Sequence, residues 1–85
     1  MKELKKDDYR IQRARLERLV QELVPGGAVH FDPDRSPNYI RMRVDHPATG
    51  TILIVTSGDW HVSEIADKTD DELRALLKAW GGDRI

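Results

Sequence analysis

Between Tyr39 and Asp45 polar and apolar residues alternate without a break: Tyr39, Arg41, Arg43 and Asp45 are interleaved with Ile40, Met42 and Val44. Successive side chains of an extended chain point to opposite faces, so this period of two predicts a strand with one face on a core and the other in water. Such a strand needs partners within its sheet and a second apolar layer that covers one face only.

The flanking sequence supplies both. His46-Pro47-Ala48-Thr49-Gly50 reads as a hairpin connection, after which Thr51 to Thr56 returns as a β-branched strand. Ala28 to Phe31 is a further short strand, separated from Tyr39 by the loop Asp32-Pro33-Asp34-Arg35-Ser36-Pro37-Asn38, whose prolines disfavour pairing. From Asp8 to Val24, Leu16, Leu19, Val20 and Leu23 fall on one helical face with Tyr9 on the same side. Asp7 or Asp8 is the expected N-cap, and Pro25-Gly26-Gly27 ends the helix. A second helix follows the capping box Thr69-Asp70-Asp71-Glu72; its stripe is Leu73, Leu76, Leu77 and Trp80, and Gly81-Gly82 stops it. Gly58 to Lys68 admits two readings, a short fourth strand through Trp60 and Val62 or a helical turn over Val62-Ser63-Glu64-Ile65.

The expected fold is therefore a single α+β domain over residues 1–85, frayed at 1–7. It is a two-layer α-β-β-β-α sandwich with an antiparallel three-stranded sheet and both helices on one face. The stripe residues would cover Val29, Phe31, Ile40, Met42 and Val44. A chain of 85 residues has room for one thin core, which makes association with another chain a natural supplement.

Several function classes find no support. There are no cysteines, so disulfides and thiolate metal sites are excluded, and the longest apolar run, Ile52 to Val55, is far too short for a membrane span. The start Met1-Lys2-Glu3-Leu4-Lys5-Lys6 runs into Asp7-Asp8 and does not read as a secretory signal, so the cytoplasm is the expected compartment. His30, His46 and His61 lack ligand spacing, and Asp32 and Asp34, though close, sit among turn-forming prolines. Gly26-Gly27 is no phosphate loop, and Ser36, Ser57 and Ser63 lack the context of a nucleophile elbow. No catalysis, metal or cofactor is expected.

Binding surfaces are better represented. Residues 1–45 hold ten Lys/Arg against eight Asp/Glu, and residues 46–85 hold four against seven. Arg10, Arg13, Arg15 and Arg18 form the densest cationic cluster and are candidate nucleic-acid contacts. Arg13 with Glu17 and Arg18 with Glu22 also have the spacing of ordinary helical ion pairs. Tyr39, Arg41 and Arg43 would stand on the open sheet face, suited to stacking on bases and meeting phosphates. On the returning strand, strict alternation sends Ile52 and Ile54 to the helices and Leu53 and Val55 to the open face beside Tyr39. Two large aliphatics there are either covered by the Trp60–Ser63 segment or mark an interface; the thin core favours the second, so Tyr39, Arg41, Arg43, Leu53 and Val55 form the expected interaction surface. Its expected occupant is a second copy of the chain or a small protein partner, with nucleic acid as the alternative.

Over residues 16–82 the chain resembles the small HicA-type toxins of bacterial toxin–antitoxin systems. The likeness lies in a leading helix, the strand from Asn38, the turn His46-Pro-Ala-Thr-Gly50, the strand Thr51-Ile-Leu-Ile-Val55 and the closing Leu73-Arg-Ala-Leu-Leu-Lys-Ala-Trp-Gly81. The resemblance implies a fold like that of double-stranded-RNA-binding domains, and an RNA partner. That family carries a catalytic histidine in a Gly-Ser-His signature, where this chain reads Ser36-Pro37-Asn38-Tyr39. Asparagine cannot shuttle a proton as imidazole does, so the resemblance extends to the scaffold and not to RNA cleavage.

Overall fold

A computed structural model describes residues 6–32, 39–56 and 60–84, with side chains from Tyr9 onward. Helix α1 (Lys6–Leu23) is followed by strands β1 (Ala28–Phe31), β2 (Tyr39–Ile40), β3 (Met42–Asp45), β4 (Ile52–Val55) and β5 (Trp60–His61). Helices α2 (Val62–Ala66) and α3 (Asp70–Gly81) and a 3₁₀ turn over Gly82–Arg84 complete the chain. Strands β1, β3 and β4 form an antiparallel sheet in that order, and β2 pairs antiparallel with β5. The α+β class is as expected, and no described helix is long and apolar enough to cross a membrane. The helical reading of the Trp60 region holds over Val62–Ala66, and the strand reading only in part: Trp60–His61 is extended, but it pairs with β2 in a second sheet instead of adding a fourth strand to the first.

The alternation of residues 39–45 places Ile40, Met42 and Val44 in the core and leaves Tyr39, Arg41 and Arg43 exposed. The strand is interrupted at Arg41, where it passes from one sheet to the other. Beside the break Thr56 takes over part of the ladder, its N–H donating to Met42 O at 3.1 Å while its Oγ1 accepts from Met42 N at 3.1 Å. Leu16, Leu19, Val20, Leu73 and Leu77 cover this face, and Trp60 and Trp80 meet edge to face at 5.0 Å. Val29, Phe31, Leu23, Leu76 and Trp80 are only partly buried against that core. Phe31 is roofed by the Arg13 guanidinium, 4.6 Å above its ring.

Local signals account for most boundaries. The capping box at Thr69 and Glu72 is formed, and Gly82 ends α3 with φ of 54°. After α1 the chain reverses through Gly26, at φ of 79°, and Gly27, where a Cβ would stand 3.0 Å from Val24 Cγ1 and 3.2 Å from Val44 Cγ1. Gln21 braces the reversal by accepting from Gly26 N and donating to Gly27 O. The start of α1 requires correction, because the helix begins at Lys6 and Asp7 and Asp8 lie within its first turn. Frayed residues were expected at 1–7; Lys6 and Asp7 are helical, and 1–5 lie outside the described residues.

One guanidinium joins the three helices. Arg15 on α1 is mostly buried and donates to Asp70 Oδ1 at 2.7 Å, to Ile65 O at 3.0 Å and to Lys68 O. It thereby ties the last turn of α2 and the connection after it to the first residue of α3. Arg18 adds a second bond to Asp70 at 2.9 Å, and Arg74 on α3 reaches back to Glu22 at 2.8 Å. The expected Arg18–Glu22 pairing is thus replaced by two bonds between helices, whereas Arg13 and Glu17 do approach within 3.8 Å.

The three Arg15 bonds come from one group whose partner Asp70 stays within reach of water, so they do not add, and Arg15→Met should lower unfolding free energy by about 2–3 kcal/mol, the scale of one hydrogen bond to a charged group. The exposed Arg18→Met should cost less than about 1 kcal/mol, and urea denaturation of the two variants checks this ordering. Arg15 and then Arg18 hold the Asp70 carboxyl below its usual range, as Arg74 holds Glu22. Since these folded values are depressed, the stability they confer is complete above the unfolded carboxylate pKa of about 4 and is lost as pH falls through the folded values. The urea midpoint should drop between pH 6 and pH 3, and the drop should shrink in Asp70→Asn/Glu22→Gln.

Candidate functional site

The face of the three-stranded sheet opposite the described helices is built in rows set by strand register. His30 on β1 pairs with Arg43 on β3, and Arg43 with Val55 on β4. Ala28 pairs with Asp45, and Asp45 with Ile52. Paired residues project to the same side, so the face carries one row of His30, Arg43 and Val55 and a second of Ala28, Asp45 and Ile52. Asp32 N donates to Arg41 O at 3.0 Å and begins a third row in the same register.

The register on β4 corrects the expected alternation. A β-bulge sets Leu53 and Ile54 together against Val44, so both turn inward, and Leu53 is only 5% exposed. Leu53 therefore does not belong to the interaction surface. Ile52, expected to face the helices, is 43% exposed, Val55 44% and Tyr39 41%. Four consecutive aliphatics gave no sign of where the alternation breaks, because every residue from Ile52 to Val55 is equally suited to either side.

On this face Asp45 draws together an imidazole and a guanidinium. Its Oδ2 lies 3.2 Å from His30 Nε2 and accepts from the Arg43 guanidinium at 3.2 Å. Arg43 Nε approaches Oδ1 at 3.1 Å without aiming its N–H there, so this oxygen is enclosed and has no hydrogen bond. Next to this cluster is an open depression of about 310 Å³ lined by His30, Asp32, Arg41, Arg43 and Val55 above the backbone of Phe31 and Met42. Its described lining offers an imidazole oriented by a carboxylate, but no hydroxyl or thiol to act as nucleophile. No group of three His, Asp or Glu among the described residues is arranged to hold a metal ion.

The remaining candidates divide between structure and surface. His61 caps α2, its Nδ1 accepting from Ser63 N at 3.2 Å, and its ring meets that of Tyr39 edge to face at 4.9 Å. His46 holds the hairpin turn, accepting from Ala48 N and Thr49 N on Nδ1. Of the arginines on α1, Arg15 and Arg18 are engaged by Asp70, Arg13 lies over Phe31 and beside Glu17, and Arg10 is exposed. Asp34 and the segment Ser36-Pro37-Asn38 lie outside the described residues. Sequence distance concealed the pairing of His30 with Asp45, which only the β1–β3 register brings about.

No family model, curated protein or solved structure matches this chain.

The bulge gives an inverted pattern of tolerance along β4. Leu53→Lys, which buries an amine in the core, should cost about 3–5 kcal/mol. Ile52→Lys/Val55→Lys should keep the circular dichroism spectrum and lose less than about 1 kcal/mol. Equal tolerance at positions 52 and 53 would show that the bulge is misplaced.

Proposed function

We propose that the chain is a small, non-catalytic protein-interaction module whose working surface is the open face of the β1–β3–β4 sheet. The observation that carries this reading is the pair of aliphatics on β4, Ile52 and Val55, each more than two-fifths exposed beside the Asp45 cluster. Isolated exposed aliphatics are common, but two on one strand of one sheet face form a patch whose burial is favourable. The surrounding polar rim of His30, Arg41 and Arg43 gives such a contact its specificity.

RNA binding, the function the HicA-like resemblance implies, is the second reading. It is favoured by the depression in which Arg41, Arg43 and His30 come together. It ranks below the first because His30 and Arg43 lie against Asp45, and Arg15 and Arg18 already hold Asp70. Each such pairing subtracts from the charge available to phosphates. A gel-shift titration at low ionic strength with Arg41→Ala/Arg43→Ala as comparison separates the two readings; salt-sensitive retardation lost in that variant would favour RNA.

The interaction reading is tested by placing a benzophenone-bearing residue at Val55, with a control at Ala75 on the exposed side of α3. Irradiation of the purified protein and of a cell extract containing it should give protein adducts from position 55 and few from position 75. Absence of adducts from position 55 in both samples would end this proposal.

A further inference from the structure

Resting on that reading, we infer that the partner is a second copy of this chain, seated face to face across a two-fold axis that runs perpendicular to the strands at the level of Val44. Such an axis lays each strand over its own copy in the opposite direction and exchanges the two rows of the open face. Row by row, Val55 then lies over the partner's Ile52, Arg43 over the partner's Asp45, and His30 over the small side chain of the partner's Ala28. Apolar meets apolar, and the Arg43–Asp45 pair of each chain lies antiparallel to the same pair of its partner, so that opposite charges alternate across the contact and each contact occurs twice, as an isologous interface demands.

The charges select this axis over the alternatives. A two-fold axis parallel to the strands places Arg43 on Arg43 and Asp45 on Asp45, a like-charge juxtaposition that opposes assembly. An axis normal to the sheet pairs β4 edge to edge, where the bulge at Leu53 and Ile54 breaks the hydrogen-bonding pattern a second strand would follow. Three strands spaced about 4.8 Å apart and a few residues long give a small contact, at the weak end of specific interfaces. The dimer is therefore a reversible one, formed at ~100 µM and largely dissociated at ~1 µM.

Because the chain has no cysteine, a thiol can be placed at will. Stacked sheets are about 10 Å apart, so opposed side chains are best joined by a short bismaleimide rather than a direct disulfide. An equimolar mixture of Ile52→Cys and Val55→Cys chains should cross-link to dimer about five-fold more than either variant alone, since only the mixture opposes two thiols. Wild-type protein should show concentration-dependent sedimentation between ~1 and ~100 µM, abolished by Ile52→Lys/Val55→Lys. A wild type that is monomeric at ~100 µM, or equal cross-linking in all three samples, would overturn the inference. If position 55 then still captures a different protein from extract, the interaction reading survives without self-association; if it captures nothing, both fail.

Discussion

The Arg15 guanidinium is the point on which the helical layer depends. A sheet with a single covered face needs its helices held at one height, and the apolar stripes of α1 and α3 alone leave them free to slide. Arg15 removes that freedom by binding the end of α2 and the start of α3 from the middle of α1. Its guanidinium suits the place because its planar fork meets a carboxylate and two carbonyls at once, which a lysine ammonium does not do with the same rigidity. Density of positive charge on this helix is thus partly a consequence of tertiary structure.

Both long helices are committed to one side of the sheet, and no other described helix lies on the opposite face. Its central strand answers with self-contained electrostatics: Asp45 gathers His30 and Arg43 and leaves the face close to neutral there. Neutrality matters for recognition, since a face of one sign would repel its own copy and attract polyanions indiscriminately. The exposed aliphatics lie to one side of this cluster, on β4, so polar and apolar zones are separate within the same small surface.

Most of the architecture could be read from periodicity. The run Tyr39 to Asp45, the stripe Leu16-Leu19-Val20-Leu23 and the capping box at Thr69 each carry a local physical signature, and each element forms where that signature lies. The side facing of Leu53 and Ile52 did not follow, because a bulge is a property of two paired strands and Ile-Leu-Ile-Val contains no residue that marks it. The helix start is ambiguous for a related reason: Asp7 and Asp8 suit an N-cap chemically, but acidic residues are equally at home within the beginning of a helix, where both lie. The cluster around Asp45 was illegible because its members, fifteen residues apart in the case of His30, meet only through strand register.

The span of the Arg15–Asp70 bond, 55 residues of chain, bears on how the domain assembles. The β3–β4 hairpin closes over a six-residue connection and can form early, at small entropic cost, whereas joining α1 to α3 requires closing most of the chain. On loop-closure entropy alone the hairpin is the cheap contact and the helical clasp the costly one, so the clasp ties the two ends of the chain together only at the expense of ordering nearly everything between them.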